Sequence, residues 1–203
     1  DPGTGEIFIT DGFDGGVLTV DPATGATTPL AGGAPLDFTQ SLVFAPDGLL
    51  YVADFDVAWS VVRVDPADGD ASPLAASLSF VGGLAASAGS VWATQPEQDA
   101  VVRLALPGGS ATPVSSGNDL RFPFGVAVEA GGTLVVADWG DAEVGPAIVR
   151  VVPGTGAQDI VADAGFLTEP WGIAVVAPEP GALSAALSGC LGVLLLRRLR
   201  AGA

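Results

Sequence analysis

Apolar residues in this chain come in short runs. Most are rich in Val, Ile, Leu and aromatic residues, and each ends at a cluster of Asp, Pro, Gly or Thr. The runs repeat. GEIFITD (5–11), LLYVADF (49–55), SVWATQ (90–95) and TLVVADW (133–139) are versions of one run, spaced by 43, about 41 and about 43 residues. A second run follows each: VLTVDPATG (17–25), VVRVDPADG (61–69), VVRLALPGG (101–109) and IVRVVPGTG (148–156). Shorter runs come third: TTPL (27–30), ASPL (71–74), ATPV (111–114) and QDIV (158–161). QSLVFAPDG (40–48), VGGLAASAG (81–89), PFGVAVEAGG (123–132) and PWGIAVVAP (170–178) complete the unit.

The run lengths and the turn residues between them predict four β-strands per unit. Asp-Pro-x-x-Gly supplies a hairpin turn, with Pro fixing φ and Gly taking positive φ. Four short strands every 40–45 residues predict an all-β chain, a β-propeller of four-stranded blades whose radial arrangement leaves only short edges. We label the strands a (GIAV), b (YVAD), c (VRV) and d (TPL). The chain opens before a b strand and ends its repeats with an a strand over 171–176, so that last strand is expected to join the first b, c and d strands in one blade. About four blades result. They form either a small four-bladed ring or a fragment of a larger ring with blades upstream of Asp1.

The wording of the unit resembles NHL-type propellers. Pro123-Phe124-Gly125-Val126-Ala127-Val128, then Val135-Val136-Ala137-Asp138, then Val149-Arg150-Val151 follow that pattern. The second unit follows it at Leu50-Tyr51-Val52-Ala53-Asp54 and Val62-Arg63-Val64. The first unit has Thr19 at the Arg position, and the third is read with Thr94 at the Asp position. The resemblance covers most of residues 5–176. It implies structural ion pairs Asp54–Arg63 and Asp138–Arg150, and Arg103 is expected to lean on another acid such as Asp99.

The C-terminus is of another kind. Pro178, Glu179 and Pro180 break the chain, an uncharged apolar run fills 181–196, and Arg197, Arg198 and Arg200 close it. Sixteen helical residues span roughly 24 Å, short of the ~30 Å hydrocarbon core, but flanking arginines snorkel. Their charge predicts a cytoplasmic C-terminus and an outward N-terminal domain. The order resembles the PEP-CTERM signal, which implies an exported protein held in the inner membrane until an exosortase-type enzyme processes it for the cell surface or extracellular matrix. The expected domains are 1–177, the propeller, and 178–203, the signal: motif 178–180, transmembrane helix 181–196, basic tail 197–203. An export leader is expected to precede Asp1, so the chain is read as truncated or mature. The triplet follows the last strand almost without a spacer, which sets the last blade close to the membrane.

Charge narrows the partners. Residues 1–177 hold 22 acidic residues and four Arg, a net charge of −18. This excludes nucleic acid and anionic lipid as partners of the outer domain. Polysaccharide or another surface protein fits better. The single cysteine, Cys190, lies in the apolar run, so the outer domain has no disulfide. With no His, no Lys and no outer Cys, catalysis would rest on carboxylates alone.

The b–c and d–a connections are expected on one face. It gathers Asp11, Asp14, Asp37, Asp54, Asp56, Glu97, Asp99, Asp119, Asp138, Asp141, Glu143 and Glu169. Beside them stand Phe13, Phe38, Phe55, Trp59, Phe122, Phe124, Trp139 and Trp171. Asp11, Asp56, Asp99, Asp138, Asp141, Trp139 and Trp171 are the candidate metal or ligand face. Carboxylates suit a hard cation such as Ca²⁺, and aromatics beside acids suit a sugar. DPADGD (65–70) lacks the spacing of a calcium loop and reads as a hairpin turn. Two functions follow: a non-catalytic binding module, or a metal-dependent, lactonase-like hydrolase of the gluconolactonase type. The latter family uses acids with Asn, and Asn118 is the chain's one asparagine.

Overall fold

The structure, a computed structural model, describes residues 5–55, 59–76, 78–163, 165 and 167–176; the side chains of residues 59, 60 and 76 stand outside that description. Asp56, the sorting motif at 178–180, the apolar run, Arg197, Arg198 and Arg200 also lie outside the described residues. No helix among the described residues is long and apolar enough to cross a membrane.

The described residues are all-β apart from a short 3-10 turn at Pro96–Gln98. Strands β1 (Ile7–Asp11), β2 (Gly16–Val20) and β3 (Thr27–Gly32) make a three-stranded sheet. Three four-stranded sheets follow in chain order. The second holds β4 (Thr39–Phe44), β5 (Leu50–Asp54), β6 (Trp59–Val64) and β7 (Ala71–Ala76). The third holds β8 (Leu84–Ser87), β9 (Ser90–Gln95), β10 (Ala100–Ala105) and β11 (Ser110–Ser116). The fourth holds β12 (Pro123–Val128), β13 (Leu134–Asp138), β14 (Ala147–Val152) and β15 (Ala157–Asp163). All neighbours in the three full sheets and in the first are antiparallel meanders, the blades of a β-propeller.

The turns repeat with the strands. Every c–d hairpin ends on a glycine at positive φ (Gly25, Gly69, Gly109 and Gly156), whose N–H bonds the carbonyl four residues back. DPADGD (65–70) is such a hairpin, with Asp65 Oδ1 accepting the Ala67 N–H at 2.9 Å. A bulge recurs in every c–d pair, after Val17, Val61, Val101 and Ile148. It adds local twist at the same place in each blade.

Side-chain alternation on the second strand of each sheet builds the cores. On β5, Leu50 and Val52 pack backward on Val17 of the first sheet and Leu36 of the loop after it. Tyr51 and Ala53 pack forward on Val81 and on Leu84, Val91 and Ala93 of the third sheet. On β9, Val91 and Ala93 face back while Trp92 packs forward with Leu134 and Val136 of the fourth sheet. Each blade thus donates one face to each neighbour. The Tyr51 hydroxyl is satisfied by donating to Asp47 Oδ2 at 2.7 Å, and burial pushes its pKa up. On β1 the backward positions are Ile7 and Ile9, and they are 45% and 39% exposed. The sheets therefore form an arc whose first face carries apolar residues in the open.

The last a-type run does not close the first sheet. Residues 171–176 carry no strand and lie beside β12, where a Cβ on Gly125 would stand 2.8 Å from the Trp171 carbonyl oxygen and 2.9 Å from Gly172 Cα. A Cβ on Gly83 would meet the Phe124 carbonyl and Gly125 in the same way. Inner strands pack glycine to backbone, so a run that follows the fourth sheet continues the arc to a further inner position. The expected joining with β1 is corrected accordingly.

The expected Asp–Arg braces are also corrected. Register sets Arg63 opposite Tyr51, three residues before Asp54 on β5, and its guanidinium bonds Ser72 Oγ at 3.0 Å. Arg150 makes a two-pronged pair with Glu129, at 2.8 and 2.9 Å. Arg103 donates to Ser90 Oγ at 2.6 Å and lies over the Trp92 ring at 5.9 Å, rather than leaning on Asp99. The arginine position faces the a–b turn end of the blade, whereas the repeated Asp sits at the other end.

This packing makes glycine indispensable at some positions and optional at others. Gly83→Ala should cost about 1–3 kcal/mol, because its Cβ meets backbone that cannot yield. Gly108→Ala, with open space around it, should stay within ~0.5 kcal/mol. Urea unfolding of the two variants separates them. The Glu129–Arg150 pair carries a pH dependence. Arg150, then Thr133, hold the Glu129 carboxyl down from 4.5 to about 2 by hydrogen bonding. The folded value lies below the unfolded one, so this stabilisation is present above pH 4.5 and is lost as pH falls toward 2. Glu129→Gln should flatten the fall of Tm across that window, which thermal melts at stepped pH would show.

Candidate functional site

The b–c and d–a loops share one face, as the alternation of strand direction requires. Register aligns Phe8, Tyr51, Trp92 and Val135, which stand opposite Thr19, Arg63, Arg103 and Arg150. Counting three residues on, the repeated strand-end position is held by Asp11, Asp54, Gln95 and Asp138. Gln95, not Thr94, therefore replaces the aspartate of the third unit. Thr94 lies one residue earlier and joins two inner strands instead. Its Oγ1 accepts the Gly83 N–H at 2.8 Å and donates to the Phe124 carbonyl at 2.6 Å.

The strand-end carboxylates clamp the loops. Asp54 Oδ2 accepts the N–H groups of Asp37 and Phe38 at 2.9 and 3.1 Å. Asp138 Oδ2 accepts the Arg121 N–H at 2.9 Å, and its Oδ1 accepts that of Gly140 at 2.7 Å. Asp138 is fully buried. Burial pushes its pKa up against these hydrogen bonds, and the Asp99 charge adds to the rise. Asp11 Oδ1 caps the N–H groups of Phe13 and Asp14 at 3.2 and 3.5 Å. Asp141 Oδ1 caps those of Glu143 and Val144, which hold its carboxyl down, and its Oδ2 lies 3.7 Å from Arg121 Nε. Asp99 sits in the left-handed region at φ 50 and receives the Gly117 N–H on its carbonyl. Among the described residues no three acidic or sulfur ligands form a group that could hold a metal ion. The carboxylates of Asp11, Asp54, Asp138 and Asp141 are bonded to backbone N–H groups.

The aromatic residues do come together. Phe13 meets Phe38 at 6.4 Å between ring centroids, Phe38 meets Phe55 at 5.9 Å, Phe55 meets Phe80 at 5.0 Å, and Phe80 meets Phe124 at 5.8 Å. Phe124 then touches Trp139 at 4.2 Å, Trp171 at 4.6 Å and Phe122 at 5.5 Å. Eight rings thus run without a break across the face. Phe124 is their hub and is only 4% exposed, whereas Phe13 is 93% and Trp171 58% exposed. Phe122 holds φ 111, a strained conformation for a bulky residue. The Asp138 clamp on Arg121 and the Trp139 N–H on the Phe122 carbonyl (3.2 Å) fix it there.

A cavity of about 310 Å³ opens on the axis. Four inner segments line it: Gln40 and Ser41, residues 82–84, residues 124–126 and residues 171–173. The Gln40 Oε1 and Ser41 Oγ oxygens are buried without a hydrogen-bond partner, as is Trp139 Nε1 among the rings.

The structure thus gathers Trp139 and Trp171 with six phenylalanines, leaves Asp11, Asp138 and Asp141 as separate loop clamps, and shows no clamp from the Asp99 side chain. The sequence reading missed Phe80, Gln40 and Ser41. A signal for the last two was present. Gly82-Gly83, Phe124-Gly125 and Trp171-Gly172 occupy the same inner position, and only the second unit fills it with two polar side chains.

The chain is similar in structure to a virginiamycin B lyase from Staphylococcus aureus, with a TM-score of 0.68 and 15% identity, over 83% of this chain and 55% of that one. A chain of a nidogen/laminin complex gives 0.68 and 16%, over 82% and 64%. A streptogramin B lyase gives 0.61 and 15%, over 77% and 50%. The chain therefore spans half to two thirds of the length of these structures, and the likeness establishes the propeller fold. No family model and no curated protein matches it.

Phe124→Ala should remove the hub of the aromatic row. The expected loss is about 3–5 kcal/mol, with tryptophan emission shifted to longer wavelength. Phe13→Ala should stay within ~0.5 kcal/mol. Urea titrations followed by fluorescence measure both.

Proposed function

We propose that this protein is a non-catalytic binding module displayed outside the cell. Its aromatic face takes the ligand, and residues 178–203 act as a sorting signal for an exosortase-type membrane enzyme. The observation that carries the reading is the unbroken row of rings from Phe13 to the axial opening, beside strand-end carboxylates (Asp11, Asp54 and Asp138) that are bonded to backbone. Large exposed apolar patches mark interaction surfaces. A polysaccharide of the surface matrix, or another surface protein, fits a face that is aromatic, weakly polar and set in a domain of strong negative charge.

The alternative, a metal-dependent hydrolase of the gluconolactonase type, asks for converging carboxylates, and the described residues supply none. The lyase neighbours share the fold at 15% identity and leave this alternative open.

Deleting residues 181–203 should move the protein from the membrane fraction to the soluble fraction without altering its tryptophan emission. Continued fractionation with membranes would overturn the sorting part of this reading.

A further inference from the structure

Unpaired buried polar atoms are rare, and each one asks for an explanation. Among the described residues four side-chain atoms are in this state: Gln40 Oε1, Ser41 Oγ, Arg121 Nε and Trp139 Nε1. All four belong to the axis or to the loops of the aromatic face. Arg121 Nε has Asp141 at 3.7 Å. The other three have nothing equivalent. Elsewhere the same fold satisfies its polar side chains with care, down to Thr94 bridging Gly83 and Phe124.

Gln40 and Ser41 also break the repeat. At the matching inner position the third, fourth and following units carry Gly82-Gly83, Phe124-Gly125 and Trp171-Gly172. Glycine there lets inner strands touch. Ser41 forgoes that, and Gln40 sets a long amide where its counterparts are aromatic or absent. The result is the axial cavity of about 310 Å³, at the small end of ligand pockets. Its lining residues include Gln40, Ser41, Phe124 and Trp171, and none of them is charged.

We propose that this cavity binds a neutral sugar of one or two rings. The inference rests on the binding-module reading above and names its ligand class. A sugar ring has an apolar C–H face and a rim of hydroxyls. The C–H face suits Phe124 and Trp171. The hydroxyls pair with the polar side chains of the lining residues Gln40 and Ser41, which turn toward the cavity on binding. The other ligand classes fit worse. An anion is repelled by the charge of the domain. A metal ion finds no carboxylate in the lining. A purely apolar ligand leaves both oxygens unpaired, which costs binding. Neighbouring rings stepping outward through Phe80 and Phe55 offer further apolar platforms to a chain attached to the bound sugar.

The test uses the full chain in a zwitterionic detergent that carries no sugar headgroup. Glucose, galactose, mannose, N-acetylglucosamine and their disaccharides are titrated by calorimetry and by saturation-transfer NMR, with glucuronate and choline as charged comparisons. At least one neutral sugar should bind, and glucuronate should not. The double variant Gln40→Phe with Ser41→Gly installs the residues of the fourth sheet. It should melt at or above the wild-type temperature and bind roughly tenfold more weakly. Trp171→Ala, at a largely exposed ring, should weaken binding similarly and serves if the double variant fails to fold. Absence of binding up to millimolar sugar, a cavity filled by water only, binding of choline alone, or variants that bind like wild type would each overturn the proposal. A protein that sorts through its tail yet binds no sugar would overturn this inference and leave the displayed-module reading standing. Sugar binding lost in the variants, with unchanged membrane fractionation after tail deletion, would do the reverse.

Discussion

Everything in this fold hangs on the backbone contact between successive inner strands. Gly83 lies against the Phe124 carbonyl and Gly125, and Gly125 lies against Trp171 and Gly172, with no room for a Cβ at either place. This contact sets how far each blade is from the next. It therefore sets whether Val91 and Ala93 reach Tyr51, and whether Trp92 reaches Leu134. The buried cores between blades are the large favourable term, but they form only at the spacing the glycines allow. The axial cavity is the same contact relaxed in one unit, where Gln40 and Ser41 stand in place of small or aromatic neighbours.

A second constraint fixes the opposite end of each strand. Asp54 and Asp138 reach back to the loop that leads into their own sheet and bind its N–H groups. A carboxylate bonded to backbone in this way orders a loop that would otherwise be mobile. The ordering is what holds Phe38 and Phe122 in the row of rings. It also absorbs the strain of φ 111 at Phe122. Asp54 and Asp138 thus hold the loops that carry the rings.

These two constraints explain what could be read from the sequence and what could not. The repeat at VRV, YVAD and DPATG placed strands, turns and blades, because β-branched runs and Pro-Gly turns are local signals. The face shared by Phe13, Phe38, Phe55, Phe124, Trp139 and Trp171 was legible too, since strand alternation alone puts those loops together. Pairing was less legible. Asp54 with Arg63 looked like a brace because both recur, but register separates them along the blade. Arg150 instead found Glu129, a turn residue that nothing in the repeat marks. Thr94 was aligned one residue off because the third unit is shorter. The fate of residues 171–176 was hidden for another reason: whether a last strand closes or extends an arc depends on which backbone it meets, and Gly125 decides that in three dimensions.

The distribution of satisfied and unsatisfied polarity is then the sharper guide to function than charge. With a net charge of −18 over residues 1–177, the domain invites a cation reading, and the structure answers by engaging its inward carboxylates with N–H groups. Charge of that kind still acts at long range, repelling anionic surfaces. At short range the ligand meets an uncharged cavity, ring faces and a few polar atoms that lack partners. On the proposed reading, the charge repels anions before contact and the cavity selects among neutral ligands on contact. The two steps are separable because the carboxylates that supply the first are held at the loop bases, outside the lining that supplies the second.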